Sequence, residues 1–207
     1  STLIEYEALK DSSGELVPTP LGRASALMYL DPLDLFHWRN AFREKPMTPT
    51  TIAMAFAGIP SYQVPTHVPS NLENPIDMGY GQATVLATCL RDWLDGKSLE
   101  GLHAVIIPPI IKDIERIISG LKLAGVPKPY LENLSLMVKN GIKENILPLV
   151  SLPGIGRKRA VSLNASGIKT PQEILDNPKV ARNILGPKIF LQVKQQIENP
   201  GQVILKF

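Results

Sequence analysis

Cysteine is nearly absent from this sequence of 207 residues, and Cys89 is its one thiol. No disulfide can form within the chain, and no cysteine-based zinc or iron–sulfur site can be assembled from it. This usage fits a reducing compartment, and the expectation is a cytoplasmic protein. Long apolar runs are missing too. The longest, Ala104 to Ile111, has eight residues and includes two prolines, far short of the ~20 that a membrane-spanning helix needs, so no membrane partner is expected. The N-terminus, Ser-Thr-Leu-Ile-Glu-Tyr-Glu, has neither the basic start nor the apolar stretch of a targeting segment, and no initiator Met. One expectation is a fragment of something longer. Histidine is scarce as well: His37, His67 and His103 have no second ligand three or four residues away, which predicts no metal site from them.

Proline is in excess, with 19 residues or about 9% of the chain against the usual ~5%. Its placement punctuates the sequence. Thr19-Pro20, Asp31-Pro32, Thr48-Pro49 and Thr170-Pro171 each set a capping side chain before a proline at the first helical position, where its missing N–H costs nothing. Asp11 to Glu15 reads as a turn and Leu16 to Thr19 as a strand, predicting a small hairpin or wing. The apolar spacing predicts helices over 20–30, 32–45, 82–95, 109–124 and 130–140, the last closed by a left-handed Gly141. From Gly58 to Gly81 periodicity is lost among Pro60, Pro65, Pro69 and Pro75, which reads as an extended surface connection. Short helices are expected near 142–149, 156–165, 171–176, 178–184 and 187–198. The fold class is therefore mainly α, and the length suits one domain or two to three small ones.

The net charge of +3 is unevenly spread. Residues 1–138 carry 11 Lys and Arg against 15 Asp and Glu, net −4, whereas residues 139–207 carry 11 against 4, net +7. Such segregation is the electrostatic footprint of a surface for a polyanion.

Within the basic third lies the sharpest motif, Leu152-Pro-Gly-Ile-Gly-Arg-Lys-Arg-Ala160. Gly154 and Gly156 flank one apolar residue, Ile155, and allow a tight turn between two short helices with Ile155 anchoring it. The glycines keep backbone N–H groups free of side-chain cover at a helix start, where the dipole is positive, which makes a phosphate site. Arg157, Lys158 and Arg159 add charge beside it. A β-branched residue at Gly156 is expected to disturb the turn. Gly167-Ile168 and the capping box Thr170-Pro-Gln-Glu173 complete a helix-hairpin-helix pattern. Gly96-Lys97-Ser98 resembles the end of a phosphate-binding loop, but Arg91 stands where that loop needs a glycine; it reads as a helix stop followed by a capping Ser98. Trp38, Trp93 and Cys89 sit at helical spacing among apolar neighbours and read as core residues.

Three stretches together resemble the C-terminal part of the archaeal DNA-repair helicases in the Ski-like branch of superfamily 2, relatives of the helicase half of DNA polymerase theta. They are Pro18-Thr-Pro-Leu-Gly-Arg-Ala24 with Tyr29-Leu-Asp-Pro32, then Ala87-Thr-Cys-Leu-Arg-Asp-Trp-Leu-Asp95 with the helix over 109–124, and finally Leu152 to Ala160 with Asn164-Ala-Ser-Gly-Ile168. The resemblance implies three domains: the end of a winged helix over 1–45, a helical, ratchet-like domain over 46–138 and a helix-hairpin-helix DNA-binding domain over 139–207. It also implies a DNA-binding accessory role in ATP-driven 3′ to 5′ unwinding of single-stranded or forked DNA. ATP and magnesium would belong to motor domains in cis, and this chain would hold no cofactor of its own. In that family a long helix meets single-stranded DNA through an arginine and a stacking aromatic seven residues later. Here those positions align with Asp113 and Gly120, which leaves Lys112 and Arg116 as the nearest cations.

Two other readings compete. Helix-hairpin-helix glycosylases and nuclease-type repair proteins use a similar turn, but the glycosylases need a catalytic Asp downstream, and no Asp follows Asp176. A protein- or RNA-binding scaffold could also carry the hairpin. Binding to branched or 3′-tailed DNA, compared with RNA of equal length, separates them.

Overall fold

A computed structural model of the protein describes residues 2–44, 47–59 and 64–200. After a single helical turn, α1 (Thr2–Glu5), the chain forms an antiparallel hairpin of β1 (Leu9–Ser12) and β2 (Glu15–Pro18), with Leu9 opposite Pro18 and Ser12 opposite Glu15. Ser13 and Gly14 turn the hairpin with φ of +58° and +88°, the left-handed pair that matches strand twist. Asp11 Oδ1 supports it by accepting from Gly14 N at 2.8 Å.

All four proline-announced helix starts carry their caps. Ahead of α2 (Pro20–Met28), Thr19 Oγ1 accepts from Gly22 N at 3.1 Å. Ahead of α3 (Pro32–Glu44), Asp31 Oδ1 accepts from Leu33 N at 2.8 Å. At α4 (Pro49–Ala55), Thr48 and Thr51 bond reciprocally, side chain to backbone. The fourth cap, Thr170, belongs to the basic third and is described with it below.

The helix α5 (Gly81–Leu94) is enclosed on nearly every face: Val85, Leu86, Ala87, Cys89, Leu90 and Leu94 are fully buried. Both tryptophans are buried with their indole N–H groups satisfied, Trp38 Nε1 by Ala55 O at 2.9 Å and Trp93 Nε1 by Val138 O at 2.7 Å. The next helix corrects the expectation of a start at Pro109. It is α6 (Leu102–Leu123), which runs for 22 residues straight through Pro108 and Pro109. An internal proline costs about 3 kcal/mol or more, so something must offset two. Ile106, Ile107, Ile110, Ile114, Ile117 and Leu121 form one continuous buried stripe across the prolines, and burying each such side chain contributes roughly 1.5–3 kcal/mol. Ala104 and Val105, whose carbonyls lose their amide partners, are exposed and can be hydrated. The cap expected at Ser98 moves likewise: Gly101, at φ +51°, occupies that position without a side-chain bond. A further helix, α7 (Lys128–Asn140), is followed by Gly141 at φ +58°.

The proline-rich connection has no helix or strand over 64–80, but it is not a loose surface strap. Val64 and Leu72 are buried, and α5 holds the backbone: Ile76 N donates to Thr88 Oγ1 at 2.9 Å and Met78 N to Thr84 Oγ1 at 3.0 Å. Arg91 Nη1 donates to Asn74 O at 2.7 Å. Its neighbour Asp92, only 2% exposed, takes Arg91 Nη2 at 2.7 Å on one oxygen, and Lys97 Nζ at 3.0 Å with His103 Nε2 at 3.3 Å on the other.

The chain divides into two compact units, Ser1–Lys139 and Asn140–Phe207. The stretches 1–45 and 46–138, expected as separate domains, lie in the first unit, where α2 packs directly on α6. In the second, a 3-10 turn at Glu144–Ile146 leads to α8 (Leu147–Val150), α9 (Arg157–Ala165), α10 (Pro171–Asp176), α11 (Pro178–Leu185) and α12 (Pro187–Glu198). These short helices share a core of Leu149, Ile155, Leu163, Ile168, Ile174, Leu185 and Val193. The protein is mainly helical, and its sheet among the described residues is the two-stranded hairpin. Among the same residues no helix is long and apolar enough to cross a membrane.

Candidate nucleic-acid interface

The turn between α8 and α9 is built around two glycines that do different work. Gly154 has φ +78°, and a Cβ on it would lie 2.9 Å from Ile189 Cδ1 of α12. Conformation and space both demand glycine there. Ile155 follows with 3% exposure, its N–H donating to Leu152 O at 3.2 Å, and so ties the turn to the core. Gly156 is different. Its backbone is ordinary and extended, at φ −89° and ψ −178°, and a Cβ on it would meet nothing within 4 Å. The fold therefore does not require glycine at 156, and the expectation that a β-branched residue would disturb the turn is corrected: the sensitive position is Gly154.

The space over Gly156 opens onto the start of α9, which has no side-chain cap. The first N–H groups of a helix lack intrahelical partners, and the macrodipole makes this end positive. Together these suit an anion such as a phosphate oxygen.

The three cations differ in role. Lys158 is exposed beside the turn. Arg159 is exposed too, but its Nη1 donates to Gly154 O at 2.9 Å and so braces the turn. Arg157 is half-buried, and that burial holds its guanidinium below the ordinary arginine range. Behind them, the chain turns out of α9 at Gly167 (φ +83°), just past the helix end, where Ile168 N returns to Leu163 O at 2.9 Å and Ile168 is buried. The capping box of α10 follows. Thr170 Oγ1 accepts from Glu173 N at 3.3 Å, and Glu173 Oε2 accepts from Lys169 N and Thr170 N, which lowers the Glu173 pKa. The sequence reading missed Ile189, the wall against which Gly154 packs.

Lys112 and Arg116 belong to the other unit, on the exposed side of α6. Arg116 is engaged: its Nη1 donates to Met28 O at 2.9 Å and Tyr29 O at 3.0 Å, at the end of α2, and its Nη2 stands 3.5 Å from Asp113 Oδ1. Lys112 is exposed one turn earlier. Gly120 is buried, and a Cβ on it would come within 2.7 Å of Leu30 Cδ1, so that position has no space for an aromatic ring.

No protein-family model matches the chain. It is 27% identical to the ATP-dependent DNA helicase Hel308 of Thermococcus kodakarensis, over 84% of the chain and 19% of that protein. Against Hel308 of Methanocaldococcus jannaschii the identity is 26%, over 88% of the chain and 17% of the relative. A putative helicase 7 of Sulfolobus islandicus filamentous virus is 39% identical, over 87% of the chain and 30% of its own length. Homologues of the chain thus include archaeal DNA helicases of the Hel308 type, and the chain spans about a fifth to a third of the length of these curated relatives.

Proposed function

We propose that this chain is a DNA-binding accessory region of an ATP-dependent 3′–5′ DNA helicase of the Hel308 type, related in turn to the helicase half of DNA polymerase theta. In this reading residues 139–207 act as a helix-hairpin-helix module on the phosphate backbone. Residues 1–45 are the end of a winged helix, and 46–138 form a ratchet-like helical domain along a single strand. ATP and magnesium are held by motor domains in cis, and the whole works on nucleoid DNA. The names of the relatives support the helicase setting.

One observation carries the DNA-binding part: the open, uncapped start of α9 over Gly156, with Lys158 beside it and a fold that does not itself need glycine there. A phosphate oxygen approaching those amides does need it, because any Cβ would fill the space.

The test uses Gly156→Val and Lys158→Ala in the full chain, with fluorescence anisotropy on single-stranded, duplex and forked DNA. Gly156→Val should stay folded, losing no more than about 1 kcal/mol for a β-branched residue at the N-cap, and should lose about tenfold or more in affinity. In Lys158→Ala the slope of log affinity against log salt should become shallower by about 0.7 on single strands and 0.9 on duplex, one phosphate's worth. Sequence preference should stay as it is, since phosphate contacts position without reading bases. Wild-type affinity of a folded Gly156→Val on all three substrates overturns the reading.

A further inference from the structure

Tyr29, just past the end of α2, holds a conformation that its side chain disfavours. Its φ of +52° and ψ of +48° are left-handed, the helix-ending geometry for which glycine is preferred and in which a Cβ crowds the following carbonyl. The ring recovers nothing by burial, being 91% exposed. A bulky aromatic therefore occupies a glycine-type position while contributing no packing to the core. Strained backbone of this kind points to a role outside the fold.

The surroundings fix the backbone and leave the ring outside. Arg116 Nη1 donates to the carbonyls of Met28 and Tyr29 at 2.9 and 3.0 Å, and Leu30 N returns to Ser25 O at 3.0 Å. Leu30 itself is buried over Gly120. The nearby carboxylate of Asp31 is engaged in capping α3 through Leu33 N. Lys112 lies exposed one turn before Arg116, while Asp113 pairs with Arg116 and Glu115 is exposed between them. The local charge is close to balanced, so a phosphate grip is not what this corner offers. An exposed ring on a fixed backbone offers a flat face instead, and every nucleic-acid base has a matching one.

We propose that Tyr29 is a stacking platform for an unpaired base of single-stranded DNA. This rests on the DNA-binding reading above but uses a residue in the other unit and a different kind of contact. Stacking involves no counterion release, so it weakens or strengthens binding without changing the salt slope.

The test compares the full chain with Tyr29→Gly and Tyr29→Phe, on an oligo-dT strand and on an abasic strand of equal length, by anisotropy over a range of salt. Glycine relieves the left-handed strain, so Tyr29→Gly should melt no lower than wild type. It should bind oligo-dT about tenfold or more weakly, the scale of one lost base stack, with an unchanged salt slope and unchanged affinity for the abasic strand. Tyr29→Phe should bind as wild type. Wild-type affinity of Tyr29→Gly for oligo-dT, or an equal loss on the abasic strand, overturns the stacking role and leaves the hairpin reading intact. A wild-type chain that binds duplex but no single strand also overturns it. A wild-type chain that binds no DNA at all removes both.

Discussion

Two glycines separated by one residue have opposite tolerances, and their substitutions should separate folding from binding. At Gly154 an alanine must hold φ near +78° and push Ile189 aside, since its Cβ would lie 2.9 Å from Cδ1. The left-handed region alone costs roughly 1–2 kcal/mol for a residue with a Cβ, and displacing a packed isoleucine adds to it. Gly154→Ala is therefore expected to destabilise the protein by about 2–3 kcal/mol, read as a lowered midpoint in chemical unfolding. Gly156→Val should cost less, about 1 kcal/mol or under, the difference between glycine and a β-branched residue at a helix N-cap. If both substitutions cost the same stability, the division of labour between the two glycines is wrong. From the sequence they looked alike, because spacing shows that a turn is present but not which residue carries the positive φ or which neighbour stands over it.

At the scale of elements, most of the helices were legible because their signals are local. Thr19, Asp31, Thr48 and Thr170 each sit one residue before a proline and each accepts the backbone N–H that a cap must take. What was not legible depends on distant partners. The first two turns of α6 are held by burial of Ile106 and Ile107, and no local rule would carry a helix through two adjacent prolines. The proline-rich segment 64–80 looked like a surface connection, because its bonds run to Thr84, Thr88 and Arg91 on a helix that begins after it. Asp92 is central to that attachment. Burial alone would raise its pKa, but the hydrogen bonds from Arg91 and Lys97 outweigh burial and hold it below the ordinary aspartate range. A carboxylate with a lowered folded pKa contributes stability that is complete above the unfolded value, about 3.9, and is lost as pH falls through the folded value. Asp92→Asn should therefore cost about 1–3 kcal/mol at pH 7, the usual scale for leaving buried hydrogen-bonding groups unmatched, because Lys97 stays partly in solvent and Arg91 keeps its bond to Asn74 O. The gap between variant and wild type should narrow in urea unfolding at pH 3. A gap that stays the same at both pH values would show that the ionised carboxylate is not what holds the segment.

For the molecule as a whole, the division of charge and the use the fold makes of Gly96-Lys97-Ser98 lead to one expectation about activity. The positive excess lies in residues 139–207, at net +7, and the open start of α9 lies there as well, so DNA is expected to be held passively. Triphosphate chemistry needs a glycine-rich loop, a lysine on the phosphates and carboxylates on magnesium. One stretch resembles part of this, Gly96-Lys97-Ser98, and the fold employs it otherwise. Gly96, at φ +91°, ends the turn after α5, and Lys97 Nζ is bonded to the buried Asp92 at 3.0 Å. Lys97 N also returns to Asp92 O at 3.0 Å, so the backbone there closes a helix rather than cradling an anion. The purified chain should therefore bind DNA without turning over ATP, whether or not single-stranded DNA is added. Phosphate release measured with and without an oligo-dT strand checks this directly, with Lys97→Ala as the companion variant. DNA-stimulated release that disappears in Lys97→Ala would mean that this lysine leaves Asp92 for a nucleotide, and the chain would then be a motor in its own right rather than a passive grip on the strand.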